Sequence, residues 1–256
     1  SGNIGIINKS EYTQKVPAHE CGIDRTFEVE DSEGHKTTVN HKNTDSYWNV
    51  IGVPAFQNKS LVLGEEATTD MKAIYEWNSL YNTYTPRALK DAFRFQTMHA
   101  YMVQFGGDIT WSDVSVVNNT KAPYRYAYAD TKNYFIKLFF GNNEAEDHAY
   151  INLADEASTD FVLNEDMMKL DNAGYPNIYS FAGNYNVAYN ETKMTNQSVT
   201  IGVSAPKNGS YTFSMPKDFS GSAILVDLEE GTITDLNVSN YSVDLNKGTY
   251  NNRFQL

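Results

Sequence analysis

Tyr47-Trp48-Asn49-Val50-Ile51-Gly52-Val53-Pro54-Ala55-Phe56 is an aromatic and aliphatic run closed by Gly and Pro. A buried strand running into a forced bend reads this way, because such side chains suit a pleated surface and Pro cannot continue a ladder. It is answered further on by Phe95-Gln96-Thr97-Met98-His99-Ala100-Tyr101-Met102-Val103-Gln104-Phe105. That second run is apolar on both faces, so a place in the middle of a sheet is expected. Neither run carries a catalytic constellation.

Working outward, Phe27–Glu30 and His35–Val39 flank a turn with Gly34 late in it, the pattern of a hairpin. Ala73–Asn78 and Tyr81–Tyr84 form a second hairpin across a short Asn/Ser loop. Pro86–Phe93 is compatible with two helical turns, Pro standing in the first of them. Asn164–Leu170, with Asn ahead of two acids, reads as a capped helical turn. Tyr134–Phe140 is a strongly apolar strand that an acidic loop turns into Ala149–Leu153. Beyond it short strands recur at Ile178–Phe181, Tyr185–Tyr189, Val199–Val203, Tyr211–Phe213, Ala223–Leu228, Ile233–Leu236, Tyr241–Leu245 and Arg253–Leu256. Gly, Asn, Pro or Asp part them, as in a sandwich or jelly roll.

The expected fold is therefore all-β: two tandem antiparallel β-sandwich domains, jelly-roll or immunoglobulin-like, with one or two short helical turns. The best linker is Asn118–Pro123, which puts the domains at 1–120 and 121–256. Composition agrees, with 18 Tyr, 13 Phe and no long stretch rich in Ala, Leu, Glu and Lys. A tyrosine stripe, Tyr124, Tyr126 and Tyr128, follows the linker and suits packing of one domain on the next.

A net charge of −12 without a basic stripe argues against nucleic acid and anionic membrane as partners. No apolar run approaches the roughly 20 residues of a membrane span, so membrane insertion is not expected. Cys21 is the single cysteine and cannot form an intrachain disulfide.

Tyr47–Pro54, then Ile74–Asn78, then Phe95–Gln104 resemble the W-N-L-x-G-N-P … Y-x-W-N … G-x-x-F-x-V-Q pattern of cell-surface and secreted proteins of Bacteroidetes. The tail from Ala223 through Leu256 is similar to the β-sandwich that closes many of the same proteins, often ahead of a sorting segment for type IX secretion. Val53-Pro54 stands where Asn-Pro is usual, and Met98-His99 where a Gly often sits. The resemblance implies an adhesin-like module of a larger parent protein, extracellular or on the cell surface. Ser1-Gly2 has the look of a cloning remnant, which fits a signal peptide removed. No catalytic residue is carried across.

Candidate chemistry is sparse. His35 and His41 in one strand stand roughly 20 Å apart, too far to share a metal. His19 and Cys21, two apart in extended chain, share a side but need not touch. A nucleophile needs its base in hydrogen-bond reach with a third group to orient it, so a plain, buried or idle thiol is favoured. Glu144, Glu146, Asp147, Asp155, Glu156 and Asp160 bracket one strand. Acids of this 144–160 region are the basis of a rival reading as a carbohydrate-active enzyme, which needs two carboxyls across a sugar. Loop oxygens also suit calcium, with Asp147, Asp155 and Asp160 as candidate ligands, and no other cofactor is expected. Trp77, Tyr81 and Tyr84 are the candidate ligand-binding residues, since exposed aromatics offer a flat apolar face to a sugar ring. The leading expectation is thus a non-catalytic surface module that binds a host or matrix glycan or protein, or spaces such a region.

Overall fold

The computed structural model describes residues 11–16, 25–30, 36–41, 48–52, 60–61, 72–89, 95–96, 100–104, 107–112 and 135–256, save 164, 194–197, 217–218 and 220. The chain is all-β, and among the described residues there is no α-helix. The first strands are β1 (Glu11–Val16), β2 (Arg25–Glu30), β3 (Lys36–His41), β4 (Trp48–Gly52), β5 (Ser60–Leu61), β6 (Ala73–Asn78), β7 (Thr83–Ala88), β8 (Phe95–Gln96), β9 (Ala100–Gln104) and β10 (Gly107–Ser112). The second series is β11 (Phe135–Gly141), β12 (Glu146–Ala154), β13 (Met167–Met168), β14 (Asn177–Ala182), β15 (Tyr185–Lys193), β16 (Thr200–Ala205) and β17 (Gly209–Ser214). It ends with β18 (Ile224–Asp227), β19 (Thr232–Asp235), β20 (Tyr241–Leu245) and β21 (Gly248–Gln255).

The two runs that decide the fold pair with each other. Trp48 lies opposite Gln104 and Ile51 opposite Tyr101, antiparallel, in a four-stranded sheet of order β4-β9-β6-β7. β9 is interior to that sheet, as its two-faced apolarity requires. One face holds Ile51, Ile74, Tyr101 and Val103, all buried. The other presents Trp48, Met102, Tyr75 and Tyr84 to the second half of the chain. The hairpin expected at Phe27–Val39 is β2–β3, with Phe27 opposite Val39.

Pro86 does not open a helix. It sits in β7 opposite Tyr75, and β7 is an edge strand, where a residue without an N–H removes no ladder bond. Glu165–Leu170, the described part of the segment Asn164–Leu170, is likewise not a helical turn. Asp166 spends its carboxylate on the N–H groups of Val162 and Glu191 (2.8 and 3.0 Å), and Met167–Met168 pairs with β15 as a short strand. The linker Asn118–Pro123, the tyrosine stripe and Cys21 lie outside the described residues.

All eight short strands expected after residue 177 are present. They join β11 to β13 in one 11-stranded sheet whose path runs β19-β18-β21-β16-β14-β15-β12-β11-β17-β20. The sheet curls over a single core. Phe213 of β17 meets Phe254 of β21 at 4.7 Å between ring centroids, although six strand positions separate the two along the path. Phe140, Tyr211, Ile151, Ile178, Ile201 and Leu225 fill the same interior. Each such side chain, fully removed from water, contributes about 1.5–3 kcal/mol.

The closing contact is polar. Tyr241 of β20 donates its hydroxyl to Asp227 of β18 at 2.8 Å, joining strands near opposite ends of the sheet. Arg253 grips the same carboxylate through Nε (2.9 Å) and Nη2 (2.8 Å) and reaches Glu229 through Nη1 (2.7 Å). Burial alone would raise the Asp227 carboxyl, but the bonds from Arg253 and Tyr241 outweigh it and hold the group below the ordinary range.

Among the described strands β12 and β15 are the one pair that runs parallel, with Tyr150 opposite Tyr189. Both strands are buried on both faces. Ala149 and Ile151 point into the rolled core, while Tyr150, Ala188 and Tyr189 point outward into a second cluster. That cluster includes Ala73, Tyr75 and Ala88, so the four-stranded sheet packs on the outside of the large one.

Candidate functional site

The hairpin β6–β7 carries the exposed aromatics. Trp77 and Tyr84 are cross-strand partners with ring centroids 4.7 Å apart, tilted by 57°. Tyr84 then meets Tyr75 edge-on at 6.2 Å, and Tyr75 meets Trp48 at 6.0 Å. The row passes from solvent to core. Trp77 is 46% exposed and Tyr81 44%, whereas Tyr75 is fully buried. The turn is set locally: Asn78 Oδ1 accepts the N–H groups of Leu80 and Tyr81, and Asn82 takes φ of 52°, a left-handed conformation Asn tolerates. Leu80 stands at the tip, 78% exposed. Of the three residues expected to bind a ligand, two are thus open to solvent, and the third backs the first.

This hairpin is held from below by residues 167–172. The Tyr75 hydroxyl donates to Met168 O (2.8 Å) and accepts from Leu170 N–H (3.0 Å). Burial pushes that phenol well above its ordinary range, so it remains a neutral donor. Gln104 Oε1 accepts Met168 N–H at 2.9 Å. Asn172 imitates a strand: its Oδ1 accepts Tyr84 N–H (2.7 Å) and its Nδ2 donates to Tyr84 O (3.0 Å), covering the edge of β7. Lys169, in the middle of the segment, has a fully buried ammonium. It pairs with Asp147 Oδ2 at 3.0 Å and donates to Leu170 O at 2.7 Å. None of these long-range bonds leaves a signature in local sequence.

The acids expected to bind calcium do not converge. Asp147 is committed to Lys169 and to Ile178 N–H (2.8 Å) near the start of β12. Asp155 and Asp160 are exposed beyond the other end of that strand. Eight residues of extended chain put Asp155 roughly 26 Å from Asp147, well outside a coordination sphere. Among the described residues no three His, Cys, Asp or Glu side chains are grouped to hold a metal. Glu144 and Glu146 of the same region bond Lys207 (2.6 Å) and His148 (3.5 Å) respectively.

In sequence Asp166 reads only as one of the two acids of the expected capped turn. Burial pushes its carboxyl up to about 7, helped by the charges of Glu165 and Glu191 and opposed by its two backbone donors. The sign follows from linkage. Between the unfolded value of about 3.9 and about 7 the folded state holds a proton that the unfolded state has released, so stability falls as pH rises through that window. The full window is worth up to about 4 kcal/mol. Melting temperature measured from pH 4.5 to 7.5 should drop more steeply in the native protein than in Asp166→Asn; equal slopes would refute the assignment.

No family model, curated protein or solved structure matches the chain.

Proposed function

We propose that this chain is a non-catalytic, surface-exposed binding module that meets a host or matrix glycan or protein through the aromatic hairpin at Trp77, Tyr81 and Tyr84. The observation that carries the reading is the pair of half-exposed rings, Trp77 and Tyr81, on a hairpin whose base is anchored in a buried cluster. Exposed rings that are already held in place bind at little entropic cost, because few rotamers are lost on contact. In this reading the chain comprises two tandem β-sandwich units, 1–120 and 121–256, within a larger extracellular or cell-surface protein. The shared cluster around Tyr75 and Tyr150 supports it by keeping the hairpin in a fixed place.

The experiment is retention on an array of glycans and matrix proteins. Trp77→Ala should abolish retention, while losing only about 1 kcal/mol of stability from the missing contact with Tyr84. An array without a hit for the native protein sinks the proposal, as does full retention by the variant.

A further inference from the structure

Next to the hairpin lies a concavity of about 240 Å³, lined by Asp171, Asn172, Tyr175, Ser204, Lys247 and Thr249 among others. Asn172 connects the two features. It lines the concavity and, through its amide, holds the backbone of Tyr84, whose ring lies 4.7 Å from Trp77. Asn172 is therefore common to the edge of the aromatic hairpin and the wall of the concavity.

We infer that hairpin and concavity are two parts of one binding surface, and that its ligand is a neutral, extended oligosaccharide. This rests on the binding role proposed for Trp77. Size argues for an extended ligand: the concavity is smaller than the roughly 300–1,000 Å³ of pockets that enclose a whole small molecule, so it takes one ring of something longer. Chemistry argues for a neutral one. The concavity is lined by one acid, Asp171, and one base, Lys247, beside Tyr175, Ser204 and Thr249, the last two bonded to each other through their hydroxyls at 3.2 Å. Such a lining both donates to and accepts from sugar hydroxyls without favouring either charge. The chain as a whole carries −12 and repels polyanions. One sugar ring stacks on Trp77, and a later ring of the same chain rests on the mainly apolar floor of the concavity, within reach of Asp171 and Lys247 at its rim.

The test is calorimetry with cello-, xylo- and N-acetylchito-oligosaccharides of two to six units, with polygalacturonate as an anionic probe. Affinity for at least one neutral series should rise roughly tenfold between two and four units. Trp77→Ala should remove binding at every length. Lys247→Ala and Asp171→Ala replace exposed side chains, so they should melt as the native protein does. They should keep the two-unit affinity and lose the gain with length. Length-independent binding, or loop variants that behave as native, overturn the two-part surface and leave the hairpin's role standing. Preference for polygalacturonate overturns the neutral ligand. Absence of binding to every sugar, beside retention on matrix proteins, overturns the glycan inference alone; absence of both removes the proposed function as well.

Discussion

Asp147→Ala is expected to destabilise the protein by about 3–5 kcal/mol, the cost of breaking a buried ion pair from one side. The Lys169 ammonium is fully removed from solvent and loses its counter-charge, keeping among the described residues the carbonyl of Leu170. Ile178 N–H loses its acceptor in the same step. Because Lys169 sits between the residues that bind Tyr75, Gln104 and Tyr84, the damage should extend to the seat of the aromatic hairpin. Replacing both members with apolar residues of similar volume, Asp147→Leu with Lys169→Met, should recover part of the loss. An apolar pair needs no desolvation, whereas an orphaned ammonium does. Ile178 N–H stays unpaired in the double variant and limits the recovery by about 1–3 kcal/mol. Urea unfolding of the three proteins decides the matter. A single variant within about 1 kcal/mol of native, or a double variant no better than the single, contradicts the account.

What the sequence makes legible is local. Trp48–Gly52 and Ala100–Gln104 could be matched because both are rich in aromatic and aliphatic side chains and each needs a buried partner. The strands from β14 to β21 are legible because Gly, Asn, Pro and Asp punctuate them at short intervals. Pro86 and Asn164–Leu170 mislead for a shared reason. Their residue types carry a helix-start preference, but an edge position in one case and two N–H donors in the other, one local at Val162 and one distant at Glu191, outweigh it. The curl of the large sheet is not legible at all. It depends on Phe213 meeting Phe254 and Tyr241 meeting Asp227, contacts between strands far apart in the ladder. The candidate site divides in the same way. Trp77 and Tyr84 share a face because a short hairpin fixes their register, which is a local fact. Asn172 holds Tyr84 from 88 residues away, and the acids at 147, 155 and 160 are parted by the strand they flank.

Gly202→Ala should cost about 2–4 kcal/mol, far more than alanine usually costs in a strand. Gly202 lies on β16 opposite Tyr179 of β14. The Tyr179 ring leans across β16 on the outer face and donates its hydroxyl to Asn251 of β21 at 2.8 Å. A side chain at Gly202 would enter that ring: its Cβ would stand 2.7 Å from Cδ2 and 2.8 Å from Cζ, with Cε2 nearer still. Real Cβ atoms essentially never approach so closely, so the ring must leave. It cannot do so cheaply. Tyr179 is 2% exposed, packs edge-on against Phe181 at 5.6 Å, and is tied at its far end to Asn251. The pairing of β16 with β21 also shifts register between Ile201 and Val203, so Gly202 sits where the ladder is already interrupted. A double-mutant cycle separates steric conflict from lost backbone freedom. Tyr179→Ala on its own should lose the buried ring, about 3–5 kcal/mol. Adding Gly202→Ala to that background should then cost almost nothing, because the ring it would strike is gone. Additivity of the two substitutions in chemical denaturation would show that the ring does not need the glycine, and the contact that binds β14 to β21 over the top of β16 would have to be explained in another way.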